Sequence, residues 1–107
     1  MSTGYILHPR AFDDLDEIRS YIAADNVDAA DRVISEIFES FRSLVRFPNQ
    51  GHKRPDLTSR ALSFIVVREY LIAYAPDEKP LWIVAVIHGR RSPRLMAKIL
   101  RGQTSSA

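Results

Sequence analysis

The chain has 107 residues, 46% hydrophobic and 26% charged, the balance of a single soluble domain with one core. It has no cysteine, no apolar run near the ~18 residues of a membrane span and no signal-peptide pattern, so disulfides, thiolate catalysis, sulfur-ligated zinc and membrane insertion are excluded and a reducing cytoplasm is expected. The net charge of +2 hides a split: residues 1–47 carry 5 basic and 9 acidic residues, and residues 48–107 carry 10 basic and 4 acidic.

Tyr5-Ile6-Leu7 is an apolar run too short for a helix and reads as a strand. Pro9 suits the first turn of the helix that follows, where its missing N–H costs nothing. Phe12, Leu15, Ile18 and Ile22 then recur at helical spacing. Asp13, Asp14, Asp16 and Glu17 lie near that helix's start, where they read as helix-end electrostatics and solubility. Asp13 and Asp14 point to different faces, so no metal site is expected of them. Asp25 or Asn26 is a competent N-cap for a second helix. In that helix Val27, Ala30, Ile34, Ile37, Phe41 and Leu44 form a stripe widened by Val33, Phe38 and Val45. The short linker demands an antiparallel helical hairpin, and the breadth of the stripe demands a sheet beneath it.

Pro48 and Gly51 end the second helix, and Asn49 to Arg60 reads as a polar loop. Leu62–Val67 and Tyr70–Ala75 are β-branched and aromatic, with a tight turn near Arg68. Pro76 to Pro80 is a second turn, and Leu81–Ile87 is a further strand, with Trp82 available to cover a helix. After Gly89 comes a short helix carrying Leu95, Met96, Ile99 and Leu100. The expectation is one α+β domain over residues 1–101, in the order β-α-α-β-β-β-α, with the N-terminal helical hairpin on a mostly antiparallel sheet. Residues 102–107 read as a disordered tail.

Glycine loops for phosphate, GxSxG and HExxH are all missing. His8, His52 and His88 lack ligand spacing, so neither a metal nor a cofactor is expected. Attention falls on Ile87-His88-Gly89-Arg90-Arg91-Ser92-Pro93-Arg94, which leaves a strand and enters a helix with three arginines in five residues. Cations at a helix N-terminus oppose its dipole, so folding alone gives no reason for them. Lys53, Arg54, Arg60 and Arg68 also fall in loops or at strand ends, where binding groups are displayed. Arginine supplies 12 of the 15 basic residues, and its planar fork suits carboxylate or phosphate. The candidate binding face is therefore Lys53, Arg54, Arg60, Arg68, His88, Arg90, Arg91 and Arg94. It implies an acidic partner, either nucleic acid or an acidic protein segment.

The element order, the pattern Pro9-x-Ala-x-x-Asp-Leu-x-x-Ile-x-x-Tyr-Ile22, the loop Pro48-x-x-Gly51…Arg54, Tyr70-Leu-Ile-x-Tyr74 and Ile87-His88-Gly89-Arg90-Arg91 together resemble the RelE/ParE toxin superfamily. The likeness runs from Tyr5 to about Leu100. It implies the toxin half of a type II toxin–antitoxin pair, wrapped by the acidic C-terminal segment of a cognate ParD-like antitoxin in a hetero-oligomer. RelE-like members cleave mRNA on the ribosome and resemble this chain less. Their hairpin arginine is replaced here by Leu71, and the C-terminal helix offers no tyrosine or histidine. Arginine is a poor proton shuttle, which leaves His88 as the lone candidate acid or base. The ParE-like branch fits better and implies inhibition of DNA gyrase by binding, with no catalytic residue. A RelE-like nuclease and a non-toxic binding module are the alternatives.

Overall fold

The computed structural model describes residues 4–104, with side chains described over residues 4–101. Strand β1 (Tyr5–Leu7) leads into helix α1 (Pro9–Ala23), and α2 (Val27–Arg46) follows. A 3-10 turn (Pro48–Gln50) and a loop lead to β2 (Ser63–Val67), β3 (Tyr70–Ala75), β4 (Leu81–His88) and α3 (Pro93–Thr104). The sheet order is β1-β4-β3-β2, with β1 parallel to β4 and the other neighbours antiparallel. The fold is thus α+β in the expected order. Its last helix runs past Arg101 to Thr104, into the segment that composition alone reads as tail; residues 105–107 lie outside the described residues.

Local chemistry accounts for the element ends. Pro9 occupies the first turn of α1, and His8 Nδ1 accepts the Arg10 N–H at 3.1 Å. The Asn26 side chain accepts the Ala29 N–H at 3.0 Å to cap α2. Ser92 Oγ accepts the Leu95 N–H at 3.2 Å at the head of α3.

Both faces of the sheet are covered. The α1–α2 hairpin packs Leu15, Val33, Ile37, Phe41 and Leu44 onto Tyr70, Ile72, Tyr74, Ile83 and Val86. On the opposite face Met96 and Leu100 of α3, with Leu57 and Leu62, cover Leu71, Ala73, Val84, Ala85 and Ile87. Strand β4 carries a bulge: Ala73 pairs with Ala85 but Tyr74 with Ile83, so Val84 is the extra residue. Val84 and Ala85 accordingly both belong to the α3 side.

Three sequence expectations need correction. Phe12 is 63% exposed, and Ala11 is buried in its place, because α1 lies close to the sheet and a small side chain permits the approach. Trp82 belongs to neither core and is 41% exposed, with the His8 ring 6.3 Å away. The acidic cluster is not helix-end electrostatics, since the first turn of α1 holds no acid and the dipole effect fades beyond it. Asp14 is buried instead and accepts the Val86 N–H at 3.0 Å. Because β1 pairs only with Leu81–Ile83, the β4 edge beyond Ile83 has no neighbouring strand among the described residues, and Asp14 supplies the acceptor there. Arg10 pairs with the same carboxylate at 3.0 Å, one helical turn away. Burial outweighs both favourable contacts and raises the Asp14 pKa above its ordinary value.

The loop after α2 is tied down by one phenol. Tyr74 is fully buried; its hydroxyl donates to Pro48 O at 2.7 Å and accepts the Gly51 N–H at 2.9 Å. A Cβ on Gly51 would lie 2.5 Å from that hydroxyl and 2.8 Å from Phe64 O, so the position has room only for glycine. The Pro48-x-x-Gly51 and Tyr74 elements of the sequence pattern are therefore parts of a single lock.

Candidate functional site

At one end of the sheet the β2–β3 turn, the end of β4 and the head of α3 converge on an open groove of about 620 Å³. The floor is apolar, from Val66, Leu71, Pro93 and Met96, and the walls carry Arg54, Arg68, Glu69, His88, Arg90 and Arg91. Val67 and Tyr70 close the two-residue turn, which requires Arg68 to adopt φ 53°. Left-handed backbone is uncommon for a side chain this large. Arg68 is held there by a two-pronged contact from its Nε and Nη2 to the Glu36 carboxylate on α2.

Glu69, the second turn residue, pins the end of β4 through both its backbone and its side chain. Its carbonyl accepts the Gly89 N–H at 2.6 Å, and a Cβ on Gly89 would come within 3.0 Å of that oxygen. Its carboxylate lies 3.0 Å from His88 Nε2, while His88 Nδ1 accepts the Arg90 N–H at 3.0 Å. A nitrogen that accepts carries no proton, so this network assigns the proton to Nε2, which donates to Glu69. Both ring nitrogens of His88 are thereby engaged within the chain, and the ring stands edge-on to Tyr70 at 5.4 Å.

The eight predicted side chains separate by geometry. Arg54, Arg68, His88, Arg90 and Arg91 meet in the groove; Lys53, Arg60 and Arg94 do not line it. Arg54 is already occupied by Asp56, with two hydrogen bonds of 2.9 and 2.8 Å. The Arg54 hydrogen bond lowers the Asp56 pKa, as the Arg68 hydrogen bond lowers that of Glu36. Arg60 is half-buried, and its Nη1 has no hydrogen-bond partner among the described residues. Arg90, Arg91 and Arg94 are exposed, and their side chains form no ion pair or hydrogen bond among the described residues. The basic face is thus part neutralised and part unopposed.

Sequence reasoning missed the neutralising carboxylates and the apolar floor. Asp56, two residues from Arg54, gave a local signal. Glu36 stands 32 residues from Arg68 and gave none, because only the packing of α2 beside the hairpin brings them together. No three His, Asp or Glu side chains converge as metal ligands among the described residues. What the groove offers is binding chemistry: an apolar strip beside guanidinium forks, open to solvent.

Residues 5–93 match the family model described as the ParE toxin of type II toxin–antitoxin systems, parDE. The chain belongs to the ParE toxin family. Among solved structures, one described as the chromosomal ParDE toxin–antitoxin system of P. aeruginosa superposes on this ParE-family chain with a TM-score of 0.66. That match spans 81% of this chain and 98% of the other at 20% identity, so it speaks to fold. No curated protein sequence matches significantly. Within the ParE family assignment, the residues that carried the resemblance fall into two groups. Asp14, Gly51 and Tyr74 hold the fold together, whereas Arg90 and Arg91 face solvent at the groove.

Proposed function

We propose that this ParE-family chain is a cytoplasmic toxin that arrests growth by binding DNA gyrase, without a catalytic step of its own, and that a cognate ParD-like antitoxin holds it inactive in a hetero-oligomer. The observation that carries this reading is the family match over residues 5–93. The state of His88 supports it. The histidine of the groove has both ring nitrogens engaged, with Glu69 and with the Arg90 backbone, and arginine stays protonated. The groove's apolar floor beside Arg90 and Arg91 suits an acidic, amphipathic antitoxin segment.

The test is expression of the chain alone and with the product of an adjacent antitoxin gene. Filamentation and DNA-damage signalling with translation intact are expected, and co-expression should relieve both. Rapid mRNA cleavage at ribosomal A-sites with replication intact would overturn the proposal in favour of a RelE-like nuclease. Harmless expression would overturn it in favour of a non-toxic module.

A further inference from the structure

No acidic residue follows Glu78, while residues 79–107 carry six basic residues. Three of these, Arg94, Lys98 and Arg101, lie on α3 and are exposed. At 100° per residue they fall within an arc of about 60°. Met96 and Leu100, which pack into the core, lie on the opposite side of the helix, as does half-buried Ile99. Arg90 and Arg91, just before the head of the helix, are also exposed and stand on the rim of the groove. The side chains of Arg90, Arg91, Arg94 and Lys98 form no ion pair among the described residues. That sets them apart from Arg54 and Arg68, each already held by a carboxylate.

Folding does not require this arrangement. The dipole of α3 favours cations only in its last turn, where Arg101 sits, and disfavours Arg90, Arg91 and Arg94 at its head. Like charges at i, i+4, such as Arg94 and Lys98, repel. The row also differs in chemistry from the groove beside it. The groove presents Val66, Leu71 and Met96 between its charges, whereas the outer arc of α3 is cationic, bordered by half-buried Ala97 on one side and by Leu95, 38% exposed, on the other. An acidic protein segment needs apolar anchors, which the arc lacks; a sugar–phosphate backbone needs none. From Arg94 to Arg101 the helix rises about 10.5 Å, comparable with three base-pair steps of duplex DNA.

We infer that the outer face of α3, together with Arg90 and Arg91 on the rim it shares with the groove, is a phosphate-backbone contact for duplex DNA. The choice of DNA rests on the gyrase reading, whose target carries a DNA duplex; the charge geometry does not. Arg90, Arg91, Arg94 and Lys98 on phosphates predict a slope of log K against log salt near −3.6, or about a 150-fold loss of affinity between about 50 and 200 mM salt.

The test measures binding of the full chain to a fluorescent 20-base-pair duplex by anisotropy across that salt range. R94Q/K98Q, two exposed changes that keep helix-forming side chains, is the variant, with circular dichroism to confirm folding. The expected slope is about −3.6 for the native chain and about −1.8 for the double variant. A flat salt response, or an unchanged slope in the variant, overturns the inference. So does competition by polyglutamate as effective as that by DNA, or preference for an RNA duplex. A gyrase-poisoning assay run in parallel separates the two claims. Poisoning with a flat salt response removes the α3 contact and leaves the functional reading. The predicted slopes without poisoning remove the functional reading and leave the contact.

Discussion

Replacing Asp14 by alanine withdraws the acceptor from a buried backbone N–H and the partner from Arg10. An unsatisfied buried donor costs about 1–3 kcal/mol. The ion pair adds less, because the Arg10 side chain is 41% exposed, and the gain in helix propensity returns roughly half a kcal/mol. The expected net loss is about 2 kcal/mol, which for a domain of this size lowers Tm by roughly 10 °C. Asp14→Asn keeps an oxygen in place for Val86 and should cost less than about 1 kcal/mol. Acidity separates the two states of the native carboxyl. Its folded pKa is raised above 3.8 by burial, so its stabilising contribution is complete below 3.8 and is lost as pH rises through the folded value. The native chain should therefore gain on Asp14→Asn as pH falls toward and below 3.8, read from urea midpoints at matched pH. If it loses ground instead, attraction to Arg10 outweighs burial and the assignment of forces at this site is wrong.

The Tyr74 lock predicts non-additivity. Tyr74→Phe leaves the Gly51 N–H and Pro48 O unpaired at about 1–3 kcal/mol, and Gly51→Ala forces a clash at about 1–3 kcal/mol. The double variant should be cheaper than the sum by about 1 kcal/mol or more, since one change removes the oxygen that the other strikes; additivity within about 0.5 kcal/mol would refute the contact. The Glu36–Arg68 tie predicts the opposite pH response to Asp14. The Arg68 hydrogen bond lowers the Glu36 pKa from 4.5, so its contribution is present above that value and lost as pH falls through the lowered one. On acidification from about pH 5 to 3, the native chain should lose more stability than Glu36→Gln, and parallel curves would sink the argument.

Period-based reading recovers what one element can reveal about itself. The unbroken apolar run Tyr70–Ala75 gave the bounds of β3, and the breadth of the α2 stripe announced both a helical partner and a sheet. It fails where the meaning of a residue lies in another element. Asp14 looked like one acid among four because its partner, Val86, is 72 residues away and is a backbone group, which no side-chain pattern advertises. Arg54 and Arg68 looked like members of a free basic face for a similar reason: charge counted along the chain cannot show that Asp56 and Glu36 are already engaged with them. Arg90 and Arg91 were legible because the segment around them contains no acid to occupy them.

The extra residue in β4 sets the parity of everything after it. Strict alternation from Ile83 would turn Val86 and His88 toward α3 and Ile87 toward the helical hairpin; with Val84 inserted, Val86 meets the hairpin and Ile87 meets α3. The Asp14 acceptor, the His88–Glu69 contact and the direction in which the chain departs through Gly89 toward its arginines all depend on that count. Deleting either Val84 or Ala85 would remove little apolar area, yet it would bring a mismatched side chain to every later position of the strand. The identity of the bulged residue is therefore open to exchange among small apolar side chains, whereas the number of residues between Ile83 and Val86 is not.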